Sequence, residues 1–375
     1  MPDTRRGSDV AQEDERYSGR WPALQRALVK RIVIPSPGGY DRLFVEEVED
    51  PRPGPGEVLV DVAAAGINYA DCIARMGLYA SARELRGYPL VAGFEVAGTV
   101  SHAGHADTGL APGDQVVGIT LFGGYASRVS LPTRQVFRLP ESIPVEEAAG
   151  VPTVFLTAWW ALHRLAAVRA GETVLVHSAA GGVGGALVQI AKLAGCRVLG
   201  IVGSPHKRVL AEALGCDTVV DKSSEKLWDA ARAFAPGGFD VVLDANGYPT
   251  LRAGYDHLAP GGRLVVYGFA AMLPKSTRDG RGKPDWLRIA AGWLRTPRFS
   301  PLTMTRDNKS VLAFNLSFME EKADELGEGM RWILGEIAAG RLRPLPVTPF
   351  SFEAVAEAHR AIESGKTTGK LVLVP

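Results

Sequence analysis

The run Ala179-Ala180-Gly181-Gly182-Val183-Gly184 follows an apolar stretch that begins at Leu175 and leads into GALVQIAKLAG, whose apolar residues recur at helical spacing. A strand, a small-residue turn and a helix in that order form the opening of a dinucleotide-binding unit. Two of the three fingerprint positions are glycine, with Ala179 at the first. Any Cβ at Gly181 would hold the backbone away from a pyrophosphate, and Gly184 lets the helix pack closely on the strand. The amides of Ala180, Gly181, Gly182 and Val183 would then face the phosphates. Glycine-rich turns of this kind also serve packing alone, so the reading needs support from further along the chain.

That support comes about twenty residues past the turn, where NAD-binding units place an acid against the ribose 2′-hydroxyl. Here the second strand, Arg197 to Val202, ends at Gly203-Ser204, with no carboxylate. Ser204, Lys207 and Arg208 offer a hydroxyl and two cations to a 2′-phosphate, and Lys222, just beyond the apolar run ending at Val220, offers a third. NADPH is therefore expected over NADH. The alternative leaves Lys207 and Arg208 as solvated first-turn residues of the next helix.

The elements that position these residues follow from the pattern on either side. PRPGPGEVLVDVAAAGIN reads as a proline-rich turn and a strand, and short β runs follow at Glu95 to Val100, Asp114 to Ile119 and Tyr125 to Val129. From Val145 the pattern turns helical through VEEAAGVPTVFLTAWWALHRLA. Strands and helices then alternate through Val174, Arg197, Thr218, Val241 and Leu264. Helices are expected near Asp324 to Ala339 and Phe352 to Glu363, with a last strand from Lys370 to Val374. The fold class is α/β: a doubly wound parallel sheet of Rossmann type beside an irregular, β-rich, partly barrel-like domain.

Composition bounds the functions. A chain of 375 residues has room for two domains, each with its own core. A net charge of +1 with interspersed signs lacks the concentrated basic face that nucleic acid requires. Cys72, Cys196 and Cys216 are odd in number and scattered, so they read as reduced, mostly buried thiols in a cytoplasmic protein. No apolar run reaches the length of a membrane span, and residues 1–20 are charged, unlike a signal sequence. Residues 1–26 are expected to be a disordered tail.

Several short segments carry a family resemblance: Gly66-Ile67-Asn68-Tyr69-Ala70-Asp71, Gly77-Leu78-Tyr79, Gly93-Phe94-Glu95-Val96-Ala97-Gly98, Leu156-Thr157-Ala158, AAGGVG and the ending Gly369-Lys370-Leu371-Val372-Leu373. Together they resemble the zinc-independent quinone oxidoreductase branch of the medium-chain dehydrogenase/reductase superfamily. The insert around Trp286 to Trp293 and the segment Asn308 to Leu316 are similar to the synaptic vesicle membrane protein (vesicle amine transport) group. The resemblance implies a GroES-like catalytic domain over residues 27–147 and 336–375 and a Rossmann NADPH-binding domain over 148–335, with an insert at 273–308. It places Asn68, Tyr69 and Asp71 beside the nicotinamide and Tyr79 at the rim of the substrate cleft, with Tyr79 or Tyr69 as the polarising phenol. Alternatively, Asp71 fixes its loop by accepting backbone amides and Tyr69 is a packing residue. The resemblance also brings Thr157, Asn246, Gly268, Phe269, Phe314 and Leu316 to the cofactor, and Lys370 to the phosphates or to the closure of the domain cleft. Each of these has a plainer reading as a turn or core residue.

Zinc-dependent relatives have Cys at the position of Asn68, His at that of Phe94 and a third ligand in the segment 150–153. None of the three is present, and Asn and Phe cannot replace a thiolate and an imidazole. The four-cysteine cluster of the structural zinc lobe is absent too. His102 and His105 form an HxxH pair in a Gly- and Asp-containing turn, better read as a solvated loop. No metal is expected. Without a Lewis acid to stabilise an alkoxide, hydride transfer to an activated acceptor is the fitting chemistry, and the expected substrate is a quinone or an α,β-unsaturated carbonyl compound. A dedicated biosynthetic enoyl or ketone reductase and a non-enzymatic NADPH-binding adaptor at a membrane remain as alternatives.

In the insert, Trp286, Ile289, Ala290, Trp293 and Leu294 fall on one helical stripe. That helix is read as a lid, a subunit contact or a peripheral membrane contact. The uncharged run Leu312 to Phe318 is expected to be an edge strand that pairs across a two-fold axis in a homodimer.

Overall fold

The computed structural model describes residues 28–103, 109–272 and 282–375. The expected tail, His105 and the first part of the insert lie outside the described residues.

Eight strands precede the dinucleotide unit: β1 (Val29–Ile34), β2 (Phe44–Val48), β3 (Glu57–Ile67), β4 (Leu90–Val91), β5 (Glu95–Ala103), β6 (Gln115–Ile119), β7 (Arg128–Pro132) and β8 (Val136–Arg138). Six more build that unit: β9 (Thr173–His177), β10 (Arg197–Val202), β11 (Thr218–Asp221), β12 (Phe239–Asp244), β13 (Leu258–Val266) and β14 (Ser310–Ala313). The chain closes with β15 (Val347–Ser351) and β16 (Lys370–Val374).

β9 to β14 form one parallel sheet in the order β11-β10-β9-β12-β13-β14. Its central strands read as continuous apolar runs because helices cover both faces, and Val174, Leu175, Val176, Val241, Val242 and Leu243 are fully buried. The second large sheet has the order β15-β16-β3-β5-β6-β8, with β7 also on β3, and a small sheet β2-β1-β4 flanks it. Within it β16 runs parallel to β15 and antiparallel to β3, with Leu371 opposite Ile67. That register sets Lys370 beside Asn68.

Six helices matter below: α1 (Tyr69–Arg75), α2 (Pro152–Trp159), α3 (Gly182–Leu193), α4 (Trp286–Arg295), α5 (Ala323–Ala338) and α6 (Val355–Glu363). The helical run expected from Val145 is broken: a short helix ends at Ala148, and α2 starts with Pro152 at its first turn, where the missing N–H costs nothing. The strand expected at Tyr125 to Val129 begins three residues later. Tyr125 is fully buried, and its backbone bonds to Ile32 and Ala92. The expected edge strand Leu312 to Phe318 is corrected to β14, Ser310–Ala313. Beyond it the Asn315 side chain accepts from Ser317 N and turns the chain into a short 3-10 helix, Leu316–Phe318.

α4 forms where the insert's apolar stripe indicated, and the Asp285 carboxylate caps it by accepting from Arg288 N. Most of its stripe faces water: Trp286, Trp293 and Leu294 are 65%, 67% and 76% exposed. Periodicity marked the face, and the side turned inward carries Gly292 and Ile289. Among the described residues no helix is long and apolar enough to cross a membrane.

Candidate active site

The two sheets meet along a cavity of about 1140 Å³. On one side lie segments just past the carboxyl ends of parallel strands, the usual place for a ligand in an open α/β sheet. Gly268 and Phe269 follow β13, and Phe314 and Leu316 follow β14; Thr157 on α2 and Val183 on α3 complete that wall. Facing them are Asn68, Tyr69, Tyr79 and Phe94. Asn68, Tyr69, Tyr79, Thr157, Val183, Gly268, Phe269, Phe314 and Leu316 are thus brought to one space, as the sequence indicated.

Asn68 ends the extended run of β3 and caps α1 with β-region backbone. Its N–H donates to Asp71 Oδ2 at 2.7 Å, the backward half of a capping box. Asp71 Oδ1 accepts from Gly93 N at 2.8 Å, so this carboxylate ties α1 to the loop before β5. Asp71 is fully buried and does not line the cavity, which matches its plainer reading as a loop-fixing residue. Burial pushes its carboxyl up to about 7, against the two amide donors and Lys370, which pull it down.

Behind Asn68 stand two charged side chains that are themselves off the cavity. Lys370 Nζ donates to Asn68 Oδ1 at 2.5 Å and lies 2.7 Å from Glu95 Oε1, which also accepts from Asn68 Nδ2 at 2.8 Å. The Lys370 amine is therefore turned to Asn68 and Glu95, on the side of the catalytic loop. Its neighbour Gly369 does close the cleft: Gly369 N donates to Ala180 O, and a parallel bridge joins Gly181 to Gly369. Glu95 was missed as a site residue, although a charge in the apolar run FEVAG was the available signal.

Tyr79 OH lies 3.1 Å from Asn315 Oδ1 and 2.8 Å from Ser317 Oγ, so the phenol spans the cleft to two residues the sequence did not single out. Its ring meets Phe94 edge-on at 5.9 Å. Burial raises both the Tyr69 and the Tyr79 phenol above the ordinary tyrosine value, keeping them protonated donors at neutral pH.

In the dinucleotide turn the two glycines differ. A Cβ at Gly184 would stand 2.1 Å from Ser178 O, a packing demand, whereas one at Gly181 would find only Ser178 O, at 3.3 Å. The chain itself asks little of Gly181, which leaves its bare backbone for a ligand to approach. Gly182 opens α3. Gly203 follows β10, and a Cβ there would stand 3.7 Å from Lys222 Cε. Ser204 precedes a 3-10 turn, Lys207 Nζ donates to Gly365 O at 2.6 Å, and Arg208 is held by Val219 O and Glu225. Past β12, Asn246 N is fixed by Asp244, while Asn246 Nδ2 is buried with no hydrogen-bond partner. Asn246 does not itself line the cavity; its neighbour Ala245 does.

At the zinc position the residues do not fit a metal. Asn68 presents its amide oxygen to an ammonium, and the same ammonium neutralises Glu95. Of the HxxH pair, His102 lies in β5 opposite Leu59.

Family models match over residues 54–141, as the alcohol dehydrogenase GroES-like domain, and over 214–373, as zinc-binding dehydrogenase. The rat synaptic vesicle membrane protein VAT-1 homolog is 31% identical over 347 residues, covering 92% of this chain and 83% of that protein. The chain belongs to the medium-chain dehydrogenase/reductase family. Within it, the chain is VAT-1-like and stands with the quinone oxidoreductases. Escherichia coli quinone oxidoreductase, solved in complex with NADPH, superposes with a TM-score of 0.78 at 26% identity, covering 92% of this chain and 100% of that one. The CurK enoyl reductase superposes equally well, at 0.78 and 27% identity, covering 92% and 99%.

Proposed function

We propose that the protein reduces quinones or α,β-unsaturated carbonyl compounds with NADPH and without a metal. The observation that carries this reading is the single cavity joining the strand ends of the parallel sheet to Asn68 and Tyr79, with an ammonium seated where a metal would need the ligands. The neighbouring quinone oxidoreductase in complex with NADPH and the enoyl reductase support it.

The residues present fit the dinucleotide. Ala180, Gly181, Gly182 and Val183 would hold the pyrophosphate, Asn246 would use its orphaned amide, and Ser204, Lys207 and Lys222 would face the 2′-phosphate. Arg208 would join them only by leaving Glu225. When bound, the nicotinamide supplies a hydride to the acceptor. This chain then has three tasks: apolar walls such as Phe94 and Phe269 exclude water, Thr157, Phe314 and Leu316 bound the nicotinamide end, and Asn68 and Tyr79 donate hydrogen bonds to the oxygen that gains charge. Tyr79 must give up Asn315 or Ser317 to do so. In this reading residues 148–335 hold the cofactor, and residues 27–147 and 336–375 supply the acceptor site.

A narrower enoyl reductase is the second reading. It is favoured by a cavity of about 1140 Å³ whose lining takes in Arg134 and Glu320 as well as Tyr79 and Phe94. NADPH oxidation measured across quinones, enones and acyl-thioester enoyl compounds separates the two. Chelation should leave the rate unchanged, and one tightly held zinc per chain would overturn the metal-free reading. NADPH binding with no acceptor reduced would favour a non-enzymatic scaffold. The proposal extends to a homodimer through the exposed edge of β14, which a monomer in light scattering at micromolar concentration would refute.

A further inference from the structure

Asn68 offers one acceptor oxygen and two N–H groups. The oxygen is taken by Lys370 Nζ at 2.5 Å and one N–H by Glu95 Oε1 at 2.8 Å. Turning the amide over would set its NH2 group against the ammonium and its oxygen against the carboxylate, two repulsions in a buried site, so only one orientation is allowed. One N–H remains, on a residue that borders the cavity and is 7% exposed.

Glu95 and Lys370 are 0% and 3% exposed and do not line the cavity. The fold makes room for them. A Cβ at Gly66 would stand 2.3 Å from Glu95 Oε1, and one at Gly150 would stand 2.9 Å from Lys370 Cγ. Glu95 Oε2 accepts from Thr153 N at 2.7 Å, which ties the same carboxylate to the first turn of α2, the helix that carries Thr157 to the cavity. β3, β5, β16 and α2 thus converge on one amide.

We propose that Glu95 and Lys370 are positioning residues that fix the Asn68 amide with its uncommitted N–H toward the cleft, as a directed donor to the oxygen of the reducible substrate. The inference rests on the reductase reading above. An amide held in advance loses no time or energy in turning toward the developing charge, which is how a preorganised donor lowers a barrier. The ammonium contributes no proton and touches no substrate; it acts through Asn68.

Lys370→Met alone leaves Glu95 buried and unpaired and risks misfolding, so the decisive variant is Lys370→Met combined with Glu95→Gln, which removes both charges. Single-turnover acceptor reduction at saturating NADPH is compared in the Asn68 and Asn68→Ala backgrounds, with NADPH affinity measured beside it. The paired change should slow reduction by on the order of 10- to 100-fold with Asn68 present, the scale of a misplaced reacting group. It should leave NADPH affinity unchanged and cause no further loss in Asn68→Ala. Equal losses in both backgrounds, or no loss with Asn68 present, would overturn the inference. If the unmodified protein reduces no acceptor, the reductase reading fails on its own. Denaturant unfolding of the same four proteins then decides whether the clamp exists: non-additive losses sustain it and additive ones remove it.

Discussion

Two buried knots of charge lie toward the two ends of α1, which Asn68 caps at its start and Arg75 closes, and only one of them borders the cavity. The first is Asn68 with Glu95 and Lys370. In the second, Glu363 on α6 accepts from Arg75 Nη2 at 2.7 Å and from Tyr40 OH at 2.6 Å, beside Cys72 and His359. Each holds a carboxylate against a cation away from water. In the second knot Cys72, His359 and Glu363 bring three metal-ligating atoms within 4.8 Å of one another, yet both Glu363 oxygens are already taken and a guanidinium supplies the positive charge. Burial pushes the Glu363 carboxyl up while Arg75 and Tyr40 pull it down, and it drives His359 well below the ordinary histidine value, leaving the ring neutral. None of these residues lines the cavity. Their work is to pin α6 to α1. What separates the knots is that only the first reaches the cavity, through Asn68.

The largest expected effect breaks the second knot. Arg75→Leu leaves Glu363 buried without its partner and should cost about 3–5 kcal/mol in denaturant unfolding, with NADPH affinity intact in the folded fraction. Combining Arg75→Met with Glu363→Leu should recover most of that loss, because a buried pair is often replaceable by apolar groups. A large loss of NADPH affinity in either variant would show that the two knots are not separate.

Next comes the cleft itself. Tyr79→Phe should lower turnover by roughly 10- to 1000-fold with little change in NADPH affinity, if the phenol donates to the acceptor oxygen. Normal turnover on every accepted substrate would reduce Tyr79 to a wall residue and leave Asn68 as the donor. Smaller still, Lys207→Ala should weaken NADPH by about 1–3 kcal/mol, the scale of a charge-assisted hydrogen bond, and spare NADH. Equal affinities for both cofactors in the unmodified protein would remove the 2′-phosphate reading.

The smallest effect is a pH dependence. Asp71 is raised to about 7 in the folded protein, against an unfolded value near 4. The folded state therefore holds the extra proton between those limits, so this group's contribution to stability is fully present below about pH 4 and is lost as pH rises through 7. Asp71→Asn should flatten that span of the stability profile. An unchanged profile would assign the titration to another group.

The legible parts of the fold were local. The small-residue turn after an apolar run gave the dinucleotide unit, a helical stripe gave α4, and β16 was read to its end residues. The site split the same way. Asn68 and Tyr79 were legible through the family resemblance that their short contiguous segments carry, whereas Glu95 and Lys370 meet through the pairing of β3 with both β5 and β16. Tyr79's partners Asn315 and Ser317 were hidden inside a run that read as strand, where the hydrogen bond from Ser317 N to the Asn315 side chain overrode β propensity. For α4, periodicity named an apolar face but could not tell which side of the helix would be wet.

The pairing of β16 with β3 also shapes how the chain is made. Ala65, Gly66 and Ile67 find their partners in Leu373, Val372 and Leu371, some three hundred residues later, so that part of the sheet cannot close until residue 373 has been synthesised. During that interval the whole parallel unit can fold while the end of β3 stays an open strand edge, exposed to nascent neighbours. The same late strand delivers Lys370 to Asn68 and Gly369 to Ala180. Completion of the cleft thus waits on β16, and a ribosome-released fragment lacking β16 would carry the dinucleotide turn without its partner Gly369.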